Sequence, residues 1–438
     1  MDFHQKASDL ITKVNNFDGS RESHALLISE ICELFDRSMS ENLSQSTVLL
    51  LYYLANLVGV PQYFDLLIKT KGLSDFRDFS NLLSFSTLTK EASMFIDKDT
   101  KVHVFQKNII DGFVIGEKNR FIMSAPTSFG KTFIIYHLIE KMKYQNVVLI
   151  FPTISLLSEN LQRIISLTEK GHLNEYKILT LSEEKICDTK NILIFTPERF
   201  MTFVDKNLDF NFEFFFMDEI YKIDNEFIID NGESESLEEN SRDIAFRIAL
   251  EMGVLRTKDV LLAGPFLEYD ESYTFGNFTK DNSFTAVNYN DIELVMKKRI
   301  LYKDLKKSSF DNLDFSGKVG KSISEKIAII LRQVKEDETI VYCSMKYLAE
   351  DYALKIASES IFQVKTSDRF QKLISHLESN YTSEWCLVRC LKQGVGIHHG
   401  TIPKYIQREI IRLFNEGIIK CLFSTTTITE GVNTTARI

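Results

Sequence analysis

The sequence predicts an α/β protein with parallel sheets, preceded by a helical region. Three prolines, Pro126, Pro152 and Pro197, each follow a short apolar run and precede a helix-like segment. Proline tends to mark strand ends because it cannot donate to a ladder, and repeated strand–turn–helix units are typical of a parallel sheet. A second strand–helix series follows later, whereas the first hundred residues contain helical candidates and no such series.

Composition places the chain among ordinary globular proteins. It has 438 residues, 44% hydrophobic and 26% charged, which excludes wholesale disorder and allows several domains. The net charge of −9 excludes a generally basic nucleic-acid binder, but not a local basic groove. The longest apolar stretch, residues 47–60, is too short to span a bilayer, and no signal peptide is visible. Six irregularly spaced cysteines indicate free thiols, so we expect a cytoplasmic protein with no membrane partner.

The elements divide the chain into three predicted domains. Helical candidates at 21–37, 41–58 and 62–71 predict a separate all-helical domain over residues 1–95, which carries no recognisable motif. Continuous apolar runs typical of doubly covered strands predict the first sheet, at residues 121–125, 147–151, 192–196, 212–218 and 260–265.

The later series places a strand at 339–344, helices near 346–358 and 405–415, and a strand at 419–425. The crossing between domains is expected in the polar stretch 267–319. The first α/β domain is therefore placed over residues 96–285, and a second, incomplete one over residues 286–438.

Residues 125–132, APTSFGKT, resemble the phosphate-binding pattern G-x-x-x-x-G-K-[ST], with Ala125 in place of the first glycine. A strand enters the loop and a helix leaves it, so backbone N–H groups can cradle phosphates. A chance match at a helix start is the less favoured explanation. Lys131 is predicted to contact the β- and γ-phosphates, and the Thr132 hydroxyl to hold Mg²⁺. The loop residues expected to bind nucleotide are Ala125, Pro126, Thr127, Ser128, Phe129, Gly130, Lys131 and Thr132.

An acidic pair ends the apolar run FFFMDEIY. The carboxyl end of a parallel strand faces the ligand side of the sheet, which places Asp218 to hold Mg²⁺ and Glu219 to activate water. Alone, an Asp-Glu pair after a strand is more often a solvated turn. With the phosphate loop upstream, Lys131, Asp218 and Glu219 are the predicted catalytic residues.

In order along the chain, these segments resemble superfamily 2 helicases of the DExH-box type, most closely the superkiller-like branch. APTSFGKT resembles motif I, FPTISLLSENLQRI motif Ia, FTPERF motif Ib, DEIY motif II, LLAGP a divergent motif III and IVYCS motif IV. The stretch from GVGIHHG to TEGVN resembles the segment leading into motif V.

The resemblance implies two RecA-like domains, with ATP and Mg²⁺ in the cleft between them and single-stranded DNA or RNA bound across both. Hydrolysis would drive movement along the strand. Gln106 would read the adenine edge, and Gly431 would lie near the nucleotide. Candidate contacts to nucleic acid, mostly to its backbone, are Thr153, Thr196, Pro197, Arg199, Ser344, Thr425 and Thr426.

The chain departs from the family pattern in three places. Tyr221 stands where motif II usually has His or Asp, and Ala263-Gly264-Pro265 stand where motif III usually has Ser-Ala-Thr. The sequence stops at Ile438, before the arginines of motif VI, so we expect this chain to bind ATP but to hydrolyse it weakly, if at all, when alone.

Two other functions remain open. The first is an ATP-gated nucleic-acid sensor or clamp that controls a protein effector through the N-terminal helical domain. Within it, the motifs resemble helicase subunits of Hachiman-type anti-phage systems. The second is a P-loop kinase, which the later αβ series argues against.

Two polar clusters are discounted as metal sites. His398 and His399 follow Cys386 and Cys390, but the spacing matches no standard zinc finger. The acidic stretch 225–240 has no EF-hand pattern and is read as a solvated loop.

Overall fold

A computed structural model describes residues 3–73, 82–98, 100–126, 129–186, 189–223, 236–267, 269, 274–292, 294 and 322–425. The chain divides into two compact units, Met1–Met296 and Lys297–Ile438. Each unit contains a parallel sheet with helices, and the first begins with a run of helices. The predicted α/β class with a helical front is therefore confirmed.

The first unit begins with five helices, called here the helical segment (residues 3–98). Their bounds are α1 Phe3–Asn15, α2 Arg21–Ser38, α3 Gln45–Leu57, α4 Gln62–Lys71 and α5 Leu82–Ala92. Ser20 and Ser44 cap α2 and α3 by accepting backbone N–H groups three residues on, which satisfies donors that a helix start leaves free. Gly72 ends α4 in the left-handed conformation.

The rest of the first unit is a seven-stranded parallel sheet with its helices. The elements are α6 Val104–Gly112, β1 Arg120–Ser124, α7 Lys131–Met142, β2 Asn146–Ile150, α8 Ile154–Glu169, β3 Tyr176–Leu179, β4 Lys190–Phe195, α9 Pro197–Lys206, β5 Phe214–Met217, α10 Ser236–Arg256, β6 Asp259–Gly264, α11 Thr274–Asp281 and β7 Thr285–Asn288. The strand order is β3-β4-β2-β5-β6-β1-β7, so β5, β6 and β1 are consecutive neighbours.

The central strands are buried on both faces. Phe214 and Phe216 of β5 pack into a core shared with the helical segment, whereas Phe215 between them packs into the opposite core with Phe246 of α10. Alternating side chains of a strand point to opposite faces, so a continuous apolar run is needed to fill both cores.

The core on one face of the sheet continues into the helical segment. Phe3 and Leu54 of that segment belong to the same buried cluster as Ile109 of α6 and Phe214 of β5. The helical segment therefore lies in one compact unit with the sheet. The predicted boundaries of three domains stay predictions.

The second unit has a three-stranded parallel sheet with the order β8-β10-β9. Its elements are α12 Ile323–Gln333, β8 Thr339–Tyr342, α13 Lys346–Ser358, α14 Asp368–Asn380, α15 Cys386–Leu391, β9 Val395–His398, α16 Lys404–Asn415 and β10 Cys421–Ser424. A capping box of Ser322 and Glu325 starts α12.

Among the helices of the described residues, none has both the length and the apolar character needed to cross a membrane.

Candidate functional site

Lys131 meets the acidic pair at the carboxyl-terminal edge of the first sheet. Gly130, at a φ of +83°, turns the chain from the loop after β1 into α7, whose first residue is Lys131. Lys131 Nζ lies 3.5 Å from Asp218 Oδ1 and 3.8 Å from Glu219 Oε1. The two segments meet because only β6 separates β1 from β5 in the sheet. The predicted catalytic residues are thus brought together.

The Lys131 ammonium fits an anionic ligand. It is buried, and within the described residues it makes no hydrogen bond. Burying a charged donor without a hydrogen bond is costly, and phosphate oxygens would supply the missing acceptors. Thr132 lies in the same helical turn, and the buried Asp218 carboxylate offers the oxygen ligands that Mg²⁺ prefers.

Glu219 is both buried and held in an uncommon backbone conformation. Its φ is +56°, and its N–H donates to Asp218 Oδ1 at 3.0 Å. Burial and the neighbouring Asp218 charge raise the pKa of Glu219, although Lys131 opposes them. Positive φ at a non-glycine residue is found preferentially at functional sites, and a raised pKa suits a carboxylate that must accept a proton.

The phosphate loop is anchored at both ends. The Ala125 N–H donates to the Gly264 carbonyl at 3.0 Å, and Ala125 and Pro126 are buried. The Phe129 ring lies 4.8 Å from His103 and stacks on Tyr289 at 5.1 Å between ring centroids. Thr127 and Ser128 lie outside the described residues.

Two side chains of α6 and its cap hold the Phe129 carbonyl. Gln106 Nε2 donates to this oxygen at 3.1 Å, and His103 Nε2 lies 3.2 Å from it. Because His103 Nδ1 accepts the Gln106 N–H at 3.2 Å, the ring proton lies on Nε2, and Nε2 donates to Phe129. Burial lowers the pKa of His103 to about 4, so the ring is neutral at pH 7. Sequence reasoning missed His103, because histidine is not among the residues that commonly mark a helix start.

The Ser124 hydroxyl, at the end of β1, accepts a hydrogen bond from the loop after β6. The predicted motif III residues Ala263, Gly264 and Pro265 carry no hydroxyl. Ser124 Oγ instead donates to Asn290 Oδ1 at 2.7 Å and accepts the Leu267 N–H at 2.8 Å. Nothing in the local sequence marks Ser124 and Asn290 as partners.

The predicted nucleic-acid residues of the first unit lie at the ends of β2 and β4, which are neighbouring strands. Thr153 caps α8 and accepts the Leu156 N–H at 3.3 Å. Thr196 and Pro197 begin α9, and Arg199 Nη1 donates to the Thr180 carbonyl at 3.0 Å. Thr153, Thr196 and Pro197 therefore share one sheet edge, while Arg199 is tied to the loop after β3.

In the second unit, Ser344 lies exposed in the turn after β8, and Thr425 lies buried after the neighbouring β10. The Thr425 N–H donates to the His398 carbonyl at 3.2 Å. Thr426 and Gly431 lie outside the described residues.

The paired histidines contact protein groups. His399 Nε2 lies 3.0 Å from Glu350 Oε1, and His399 Nδ1 lies 3.0 Å from Thr401 Oγ1. In the part of the chain that the structure describes, no group of three or more His, Cys, Asp and Glu side chains is arranged to hold a metal ion.

Comparison with known proteins relates the first sheet to helicases. The family described as "DEAD/DEAH box helicase" matches residues 104–246. Anti-bacteriophage protein B of Escherichia coli (strain K12) is 25% identical over 336 residues, which cover 76% of this chain and 41% of that protein. Exosome RNA helicase MTR4 of Homo sapiens is 30% identical over 134 residues, covering 28% of this chain and 12% of that protein.

The ATP-dependent DNA helicase Hel308 of Pyrococcus horikoshii is 29% identical over 100 residues, covering 22% of this chain and 14% of that protein. The chain therefore spans less than half of the length of each of these three relatives.

Proposed function

We propose that this chain, whose residues 104–246 match the family described as "DEAD/DEAH box helicase", is the core of an ATP-dependent nucleic-acid helicase or translocase. The observation that supports it most directly is the buried Lys131 ammonium, which has no hydrogen-bond partner among the described residues and lies beside Asp218 and Glu219. This is an arrangement suited to nucleoside triphosphate hydrolysis.

Each residue of this site has a separate task. Lys131 and the backbone N–H groups of residues 129–132 bind the β- and γ-phosphates of ATP. Thr132 and Asp218 hold Mg²⁺, which neutralises charge on the phosphate oxygens when bound. Glu219 orients the attacking water and accepts its proton. His103 and Gln106 keep the loop in place through the Phe129 carbonyl, and the second amide hydrogen of Gln106 is available to the adenine edge.

Single-stranded nucleic acid is the proposed polymer substrate. Thr153, Thr196, Pro197 and Arg199 in the first unit, with Ser344, Thr425 and Thr426 in the second, are proposed to bind it, mostly through phosphates. Such contacts carry no sequence information, so binding is expected to be tolerant of sequence.

The test is the rate of ATP hydrolysis by the purified protein with Mg²⁺, alone and with single-stranded DNA or single-stranded RNA. We expect one polymer to stimulate turnover. Lys131→Ala should lose ATP binding, and Lys170→Ala, at the exposed end of α8, should behave as wild type. ATP binding without stimulation by either polymer, both in this chain and in a version extended past Ile438, would contradict the motor.

A strand-separation assay under the same conditions distinguishes a motor from an ATP-gated clamp. Unwinding that requires Glu219 supports the motor. ATP-dependent release of a partner without strand separation would favour the clamp.

The biological setting that we propose is defence against bacteriophage, because the relative that covers 76% of this chain is an anti-bacteriophage protein. Cells expressing the wild-type protein together with its genomic neighbours should resist infection in a plaque assay. Cells with the Glu219→Gln variant at equal protein level should not. Equal protection by the wild-type protein and the Glu219→Gln variant would show that protection does not require ATP turnover.

A further inference from the structure

Phe266, in the loop after β6, combines an exposed aromatic ring with a strained backbone. Its side chain is 68% exposed, and among the residues that the structure describes no other aromatic ring stacks on it. A single exposed apolar residue is ordinary on a protein surface. The φ of Phe266, however, is +54°, a conformation in which any residue with a Cβ is strained. The fold therefore holds this side chain in a strained conformation and gains little burial from it.

Two hydrogen bonds fix the backbone of this loop. The Phe266 N–H donates to Asn290 Oδ1 at 3.0 Å, and the next N–H, that of Leu267, donates to Ser124 Oγ at 2.8 Å. The Ser124 side chain is fully buried, and its hydroxyl donates to the same Asn290 oxygen at 2.7 Å. Leu267 is buried in the core beneath the loop. The exposed ring of Phe266 is therefore carried by a backbone with little freedom to move.

The end of β6, two residues before Phe266, contacts both catalytic segments. The Ala125 N–H of the phosphate loop donates to the Gly264 carbonyl at 3.0 Å. An added Cβ on Gly264 would lie 3.2 Å from the backbone nitrogen of Ile220, the residue after Glu219. A ligand bound to the Phe266 ring would therefore act on a loop that is continuous with both of these contacts.

Phe266 also lies at the same edge of the sheet as a proposed contact to nucleic acid, Thr153. These residues follow β6 and β2, which are separated only by β5, and the three strands run parallel. The carboxyl ends of β6 and β2 are thus two strand spacings apart, or roughly 10 Å. A single strand whose backbone lies at Thr153 can place a base on Phe266. Bases of any sequence stack on an exposed aromatic ring.

We propose that Phe266 stacks on a base of the bound single strand, and that Ser124 and Asn290 are positioning residues that hold its loop for this contact. The proposal rests on the proposed binding of single-stranded nucleic acid. It adds a base contact to a site that was predicted mostly from phosphate contacts. It also places that contact on the loop that continues from the end of β6, beside the phosphate loop and Glu219.

The test is fluorescence anisotropy of labelled oligo(dT) and oligo(U), titrated with the whole chain in the presence of AMP-PNP and Mg²⁺. Abasic strands of the same sugar and length are titrated in parallel. Phe266→Ala should weaken binding of the base-bearing strand about tenfold, the scale of losing one stacked base, and should leave binding of the abasic strand unchanged. Phe266→Trp should retain affinity. Phe85→Ala, which removes an exposed phenylalanine from α5, is the matched control and should bind as wild type does.

The positioning role is tested at Asn290. Asn290→Ala should weaken binding of the base-bearing strand, because the Phe266 N–H and the Ser124 hydroxyl lose their shared acceptor. Asn290→Asp keeps an oxygen acceptor and should retain affinity. Adding Asn290→Ala to Phe266→Ala should cause no further loss, since both changes remove the same contact. Losses that add in the double variant would overturn the positioning role.

Wild-type affinity of Phe266→Ala for the base-bearing strand would overturn the base contact and leave the proposed function standing. Equal weakening of the base-bearing and abasic strands would also overturn it, because the effect would then lie on the phosphate contacts. Failure of the wild-type protein to bind any strand, both in this chain and in a version extended past Ile438, would instead remove the proposed function.

Discussion

His103 holds the phosphate loop in a way that requires a neutral imidazole. Its Nδ1 accepts the Gln106 N–H while its Nε2 donates to the Phe129 carbonyl. Protonation would remove the acceptor at Nδ1. It would also bury a positive charge, because His103 is only 6% exposed. The loop that is proposed to bind phosphates therefore depends on a residue outside the loop itself.

Stability should depend on pH through His103. Its pKa lies at about 4 in the folded chain, below the ordinary 6.5. As pH falls from 6.5 towards 4, the unfolded chain takes up a proton that the folded chain does not. The free energy of unfolding therefore falls, by at most about 1.4 kcal/mol per pH unit for this group.

Replacing His103 with Asn, which also caps helices, should remove this contribution. Urea denaturation at pH 7 and pH 5 should then show a smaller loss of stability in His103→Asn than in wild type. His376→Asn, at an exposed position, is the control and should lose stability as wild type does. Equal losses in His103→Asn and wild type would show that the ring does not stay neutral in the fold.

Glu219 should be needed for turnover but not for binding. Glu219→Gln keeps the size of the side chain and removes the proton acceptor. We expect kcat to fall by roughly 100- to 10,000-fold while ATP binding is retained. Steady-state hydrolysis and calorimetric titration measure the two quantities, with Glu169→Gln at the exposed end of α8 as control. Turnover close to wild type in Glu219→Gln would mean that another group activates the water.

At the scale of elements, the turn between α3 and α4 is tightly constrained where it packs on the start of α6. Gly59 has a φ of +77°, and an added Cβ would lie 2.7 and 2.8 Å from the Val104 side chain. Both the backbone conformation and the packing therefore exclude a side chain there.

Gly59→Ala should destabilise the protein by about 2–5 kcal/mol, the sum of left-handed strain and overpacking. Gly19→Ala isolates the strain, because Gly19 has the same φ of +77° and no atom within 4 Å of an added Cβ. We expect it to cost only about 1–2 kcal/mol. Urea denaturation compares the two, and equal costs would mean that the contact with Val104 relaxes freely.

Among the strands of the first sheet, sequence reasoning missed the two at its edges. β3 and β7 each pair with a single neighbour, and both are partly exposed. An edge strand needs no continuous apolar run, so its sequence resembles a polar loop. The central strands were predicted because burial on both faces leaves a clear apolar pattern.

At the scale of the whole molecule, the shared core makes the helical segment part of the first unit. Side chains from Phe3 to Leu294 form one buried cluster. Removing residues 1–95 would expose Phe105 and Ile109 of α6, which are buried in that cluster.

We therefore expect a fragment of residues 96–296 to lose cooperative unfolding, while residues 1–296 unfold in one transition. Thermal melting followed by circular dichroism, with binding of a hydrophobic dye, measures the difference. A cooperative melt of residues 96–296 at the temperature of residues 1–296 would instead support the separate helical domain that the sequence predicts.

The α/β class, the central strands, the phosphate loop and the acidic pair could all be predicted from the sequence alone. These features are local, since apolar runs and short motifs are complete within a few neighbouring residues. The tertiary structure shows which distant groups come together: Lys131 with Glu219, Ser124 with Asn290, and His103 with Phe129. These contacts depend on the order of the strands in the sheet and on the core that the helical segment shares with the sheet. Local periodicity specifies neither, because it reports which side of an element is buried and not what lies against it.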